Sequence, residues 1–301
     1  MPKRLSLALI LIFLPFFALA ELRVEHTGTL IWKSERPEFG GFSGIDLSED
    51  GQSFVTVSDR GRIFEGTFIR EGDRLIGLQG GPLRSLLGVD GEPVIQRTFD
   101  AEGLALNPEG GLYISFEGYH RVWEYAENDG PSHKFHANRD FNHLQNNSGL
   151  EALAMDANGV LYAMPERSGE LERPFPVYVF TGKKWEHLYD IPRRPPFLVV
   201  GADFGPDGRF YLLERRLAGF IGFQSRVRRF AFGADGFSEE ETILETPIAR
   251  HDNLEGLAVW ADAAGDIRLT MISDDNQRVF QRTEIVEYRV IEGVEPEAAS
   301  Q

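Results

Sequence analysis

Cysteine is absent from this 301-residue chain, so no disulfide braces the fold and no thiol serves as nucleophile or ligand. Beyond residue 20 no stretch is long and apolar enough to span a bilayer. The 3.6-residue period of an amphipathic helix is missing over any ordinary helix length. So are the G-x-S-x-G elbow of serine hydrolases, the H-E-x-x-H zinc motif and a compact calcium loop. Positive charge is scarce as well. Lys and Arg number 31 against 47 Asp and Glu, a net charge of −16, which argues against nonspecific nucleic-acid binding through phosphate contacts.

Residues 1–20 read as a secretory signal peptide: Lys3 and Arg4, the apolar run from Leu5 to Phe17, then Ala18-Leu19-Ala20 before Glu21. Cleavage after Ala20 is expected, with an uncleaved anchor as the alternative. A periplasmic or secreted protein without a transmembrane segment would result. Its 281 residues carry 29 basic against 47 acidic groups, a net charge of −18. That length suffices for one large hydrophobic core, and the surplus suits a bound cation if the carboxylates converge. Residues 21–290 are expected to form a single domain and 291–301 a disordered, acidic tail.

One device recurs five times: FSGIDLSEDG (42–51), AEGLALNPEG (101–110), LEALAMDANG (150–159), VVGADFGPDG (199–208) and LEGLAVWADAAG (254–265). In the first four, a glycine falls eight positions after a fixed slot held by Ser43, Glu102, Glu151 and Val200. Self-similarity at this scale marks an array. An acidic residue or Asn before each glycine signals a hairpin, and each hairpin leads to β-rich runs such as SFVTVS (53–58), LYISFE (112–117) and FYLLER (210–215). A third strand follows in every unit and a fourth in all but the last, where LRVEHTGTLIW (22–32) could close the ring. The expected fold is an all-β propeller of five four-stranded blades. A sixth blade within 80–97 and an open sandwich are the alternatives.

Antiparallel neighbours bring the start of one strand beside the end of the next. The slot should therefore meet the residue 15 positions on: Ser43 with Ser58, Glu102 with Glu117, Glu151 with Glu166, Val200 with Arg215. In the fifth unit an enlarged turn pairs Glu255 with Asp274. Three blades thus present two carboxylates each on one face near the axis, with Asp59 and Glu214 one residue off the partner position. Carboxylates so crowded must take up protons, pair with arginine, or bind a hard cation. Arg60, Arg121, Arg167, Arg215 and Arg278 stand nearby, and Asn253, Asp275 and Asn276 could add oxygens. The bland reading is that a slot glutamate merely accepts backbone N–H bonds that pin blade to blade. His120, His143 and His251 read as solvated loop residues, and Arg226, Arg228 and Arg229, alternating with Val227, as a solvated outer face.

Phe99-Asp100-Ala101-Glu102-Gly103-Leu104-Ala105 resembles the repeated motif of the phytase-like family, "esterase-like activity of phytase". Ser-Asp-Arg-Gly (58–61), Phe116-Glu117-Gly118 and Asn253-Leu254-Glu255-Gly256-Leu257 are similar too. The resemblance spans about Gly40 to Val290. It implies an exported propeller whose recurring acids hydrolyse a phosphoester, although Ser43 and Val200 depart from the acidic pattern. On this reading Glu102, Glu151 and Glu255 are catalytic. Glu117, Glu166, Asp274, Asp59 and Glu214 hold a divalent cation, calcium first, and Arg60, Arg121, Arg167 and Arg215 orient a small phosphorylated substrate. A calcium-dependent lactone or ester hydrolase and a non-catalytic propeller binding a ligand or envelope partner are the rival functions.

Overall fold

The computed structural model describes residues 21–95, 99–136, 141, 144 and 149–294. Five four-stranded antiparallel sheets stand around one axis. The inner strands are Phe42–Leu47, Ala101–Leu106, Leu150–Met155, Leu198–Phe204 and Asn253–Ala261. They pack side by side in that order, the fifth against the first. The ring closes as the sequence predicts: Glu21–Trp32 lies beside Thr283–Val294 and completes blade five. Glycines 51, 110, 159 and 208 all have positive φ, between 65° and 105°, which explains why the eighth position is kept for a residue without a side chain.

No sixth blade forms among the described residues of 80–97. Arg84–Ser85 adds a two-residue strand to blade one, and Leu87 bridges Pro93 and Pro131. His143 and the tail from 295 onward lie outside the described residues. Among those residues, no helix is long and apolar enough to cross a membrane.

Apolar side chains alternate along the strands and fill five cores, one between each pair of neighbouring blades. Most aromatic rings belong to them. Trp32 stacks on Phe42 at 4.8 Å, and Phe54 on Phe68 at 4.4 Å. Around the axis the inner strands approach one another closely. A Cβ on Gly44 would sit 2.6 Å from the carbonyl oxygen of Glu102, and one on Gly201 2.6 Å from that of Glu255. The glycine after the slot is therefore a packing requirement.

Arg226, Arg228 and Arg229 are not a solvated face; all three are buried, Arg228 completely. Both Glu214 oxygens are taken by this group: Arg226 Nε donates to one at 2.8 Å, and Arg228 Nη2 to the other at 2.7 Å. Arg228 also donates to the Pro192 carbonyl and Arg226 to that of Arg194, which ties blade four to the chain leaving blade three. Strand alternation alone could not reveal a partner arriving from another segment. A second buried pair, Arg70 with Glu287 at 2.6 Å, joins blade one to blade five. His251 is likewise buried, its Nε2 2.7 Å from the Tyr288 hydroxyl.

Two outcomes are expected in urea or thermal unfolding. Gly44→Ala should lose about 1–3 kcal/mol through backbone collision, whereas Gly233→Ala, with open space around it, should be near neutral. Glu214→Ala, which strands two buried guanidiniums, should lose about 3–5 kcal/mol.

Candidate functional site

The slot owes its direction to a break in strand pairing. In blade one Phe42 pairs with Ser58 and Gly44 with Val57, leaving Ser43 over. The same β-bulge leaves over Glu151, Val200 and Glu255 in blades three to five, and in blade two it spans Glu102 and Gly103. A bulge turns the extra residue out of the sheet's alternation and re-aims its side chain. Nearby hydroxyls satisfy backbone groups beside it: Gly103 N–H donates to Ser115 Oγ at 2.8 Å, and Thr56 Oγ1 donates to the Gly44 carbonyl at 2.7 Å.

The bulged glutamates and their partners meet at one mouth of the ring. Glu102, Glu117, Glu151, Glu166, Glu255 and Asp274 are each only 6 to 9 % exposed. Burial, then repulsion from Glu151 and Glu255, raises the Glu102 carboxyl well above its ordinary pKa. Burial and then Glu166 and Glu117 do the same to Glu151. Blades two, three and five thus contribute to one cluster, in which Glu151 and Glu255 line a common void. Asp100 and Glu102 are close carboxyl neighbours, as are Glu117 and Glu151. Arg215 ties Glu255 at 3.0 Å to Glu166 at 3.5 Å. Burial disfavours its charge, but these acids more than offset that and hold the guanidinium protonated.

Below the acids the tunnel is shut. Buried Ile45, Leu104, Leu153, Ala202 and Leu257, with Glu151 and Glu255 above them, line an axial void of about 10 Å³, which leaves at most one water's space. The site is thus a cup open at one end. A hollow of about 770 Å³ on the opposite face, between blades one and two, is lined by Glu65, Gln79, Asn107 and Asn128 among others. Glu65 there is already met by Arg84 and Asn128, so the hollow offers no comparable chemistry.

The remaining expected residues divide. Asp59 joins the mouth: burial, then Asp274 and Asp100, push its carboxyl up to about 7. Burial and Glu255 likewise bring Asp274 to about 7. Glu214 does not join, because the residue beside Arg215 on a regular strand faces the other side of the sheet and its oxygens serve Arg226 and Arg228. Asp59 lies just past its strand, where alternation no longer holds. Arg167 stands at the rim, its Nε 3.1 Å from Glu166. Arg60 reaches the Pro37 carbonyl at 3.5 Å. Arg121 is buried, stacked 4.0 Å from the Phe116 ring centre and 4.2 Å from that of Trp123, and burial lowers its pKa to about 10. Asp275 is occupied, accepting from Gly41 N–H and Thr283 Oγ1.

Pinning of blade to blade falls partly to other acids. Asp46 accepts from Leu106 N–H at 2.7 Å and Asp203 from Val259 N–H at 2.6 Å; at the mouth, Glu117 accepts from Gly149 N–H at 2.8 Å. One further site residue, Asp100, is missing from the sequence-based set. Its oxygen lies with those of Glu102 and Glu117 inside a 4.8 Å group able to hold a metal. Position gives the signal: Asp100 and Asn253 both stand two residues before the slot, and both carry an oxygen.

The model of the family Phytase-like, described as "Esterase-like activity of phytase", matches residues 37–277. No curated protein sequence matches the chain. Among solved structures, the PQQ-bound aldose sugar dehydrogenase of Streptomyces coelicolor is 13% identical, with a TM-score of 0.47 over 90% of this chain and 99% of that one. The RRP9 WD40 repeats are 11% identical, TM-score 0.49, over 90% and 100%. The "putative oxidoreductase (glucose dehydrogenase)" of Thermus thermophilus is 14% identical, TM-score 0.46, also over 90% and 100%. Likeness of this degree carries no argument about chemistry.

Raised carboxyl pKa values favour the fold while the groups are protonated. That contribution is complete below the unfolded value, near 4, and is lost as pH rises through the folded values, about 7 for Asp59 and Asp274. The melting temperature of cation-free protein should therefore fall between about pH 5 and about pH 8. Calcium should restore much of it at the upper end. A melting temperature that climbs over this range without cation would contradict the assignment.

Proposed function

Because the chain belongs to the family described as "Esterase-like activity of phytase", we propose that it hydrolyses phosphoesters with the help of a divalent cation, calcium first, at the acidic mouth. The observation that carries this reading is the group formed by Asp100, Glu102 and Glu117, whose carboxylate oxygens lie within 4.8 Å of one another. The donors suit such an ion. All are oxygens, as a hard cation prefers, and two more buried oxygens in the same mouth, Asp59 Oδ1 and Asn253 Oδ1, have no hydrogen-bond donor among the described residues.

Asp100, Glu102 and Glu117 would hold the ion, with Asp59, Asp274 and Asn253 as further donors. Bound there, it would neutralise the carboxylates and polarise a phosphoryl oxygen, without which an anionic substrate is repelled. Hydrolysis also requires a proton taken from water and one given to the departing ester oxygen as the P–O bond breaks. Glu151 sits beside Glu117, and burial with the neighbouring acids raises its carboxyl well above the ordinary value, which suits a group that takes up and gives back a proton. Glu255 is fixed by Asn253 Nδ2 at 2.8 Å and by Arg215, an arrangement that keeps its oxygens aimed at the cup. Arg60 and Arg167 at the rim fit the role of orienting the substrate's remaining oxygens.

The test is turnover of an aryl phosphate, a phosphodiester, phytate and a lactone, each with calcium and with chelator. A phosphoester should be cleaved only with calcium. Glu102→Gln and Glu151→Gln should each reduce kcat about 100-fold or more while the folded protein persists. Cleavage of the lactone alone would transfer the site to carboxylic esters, and inertness toward all four would contradict an enzymatic role.

A further inference from the structure

Large apolar side chains exposed to solvent are concentrated on the face that bears the acidic mouth. Leu217 ends the second strand of blade four, Phe220 and Ile221 lie in the loop that follows it, and Val279 and Phe280 lie in the matching loop of blade five. Ile248 lies in the connection between those blades. Phe220 and Val279 are 111 % and 104 % exposed, so they stand at loop apices. The three loops form one surface. Ala249 N–H donates to the Phe223 carbonyl at 2.7 Å, Gln281 Nε2 to Asp252 at 3.0 Å, and Arg282 N–H to Asp252 at 2.8 Å.

The chemistry around these tips is specific. Leu217 to Phe223, LAGFIGF, contains no charged residue and follows Arg216 directly. Val279 and Phe280 are flanked by Arg278 and Arg282, and Ile248 is followed by Arg250. The acids in the same loops are engaged inward: Asp252 by Gln281 and Arg282, Asp275 by Gly41 and Thr283. On a chain of net charge −16, the outward groups of this patch are apolar side chains, the neutral Asn276 and Gln277, and arginines, of which Arg282 is paired with Glu284 at 2.7 Å.

We propose that this patch docks the protein on a lipid bilayer carrying anionic headgroups. Separate protruding tips enter the interface one by one, which a flat partner surface does not require. Arginines at their bases then meet lipid phosphates. The net negative charge does not prevent this, because exposed charges farther than roughly 8 Å are screened at physiological salt. The docked molecule presents its acidic mouth toward the membrane, since mouth and tips share one face.

The full chain should co-sediment with vesicles of phosphatidylcholine mixed with phosphatidylglycerol, and far less with phosphatidylcholine alone. Added salt should weaken the association. Phe220→Ser combined with Phe280→Ser should lower partitioning about tenfold or more, and Arg278→Glu should lower it on the anionic vesicles only. Phe220→Trp should shift its emission to the blue on the anionic vesicles. The serine variant must retain the wild-type melting temperature, as substitutions at exposed tips should allow. Protein that stays in the supernatant with both vesicle types overturns the proposal. So does concentration-dependent self-association abolished by the serine pair, which would assign the patch to protein contact.

Discussion

Repulsion between carboxylates held in a dry space is the constraint around which this molecule is organised. A β-bulge at the start of each inner strand turns one side chain toward the axis, and three of the five are glutamates. Their second-strand partners bring the mouth to six buried acids, with Asp59 and Asp100 beside them. Water cannot solvate such a cluster fully, so the charge must be removed by protons, answered by Arg215, or offset by a bound cation. Each remedy leaves its mark: carboxyls pushed upward by burial and by one another, a guanidinium shared by two acids, and oxygens with no donor among the described residues.

A scaffold that tolerates this cluster needs stabilisation elsewhere. Five interblade apolar cores provide most of it, and the N-terminal strand beside blade five prevents the ring from opening. Without cysteine, the junctions are secured by side chains. Arg226 and Arg228 on the Arg194 and Pro192 carbonyls, Arg70 with Glu287, and Asp46 and Asp203 on neighbouring backbone each bind one blade to the next segment. Buried ion pairs add little net stability compared with apolar packing. Their geometry does fix how one blade meets another.

The repeat was legible because its parts obey local rules. Turn glycines at positive φ, alternating strands and a slot with a partner fifteen residues on can all be read along the chain. So could the convergence of Glu102, Glu151 and Glu255, which follows from ring symmetry once the blades are counted. What stayed hidden depends on contacts between distant segments. Arg228 looks solvated until Glu214 and the Pro192 carbonyl arrive beside it. Asp59 and Glu214 look equivalent by offset, yet one lies past its strand and the other within it. The bulge itself has no letter in the sequence; only the glycine that follows it in four of the five blades hints at the close approach there.

The cup and the apolar loop tips share one face, so on the proposed reading an anionic group reaches the acids from one direction. Everything in that description rests on the carboxylates of the mouth acting as one ligand set, with Asp100, Glu102 and Glu117 of blade two at its centre. The direct measurement is anomalous diffraction from crystals soaked in manganese, a divalent scatterer that can take calcium's oxygen ligands. A single strong peak bounded by Asp100, Glu102 and Glu117, lost in Glu102→Gln crystals, is the predicted result. A mouth without any peak, or ions bound only to acids on the outer strands, would contradict it.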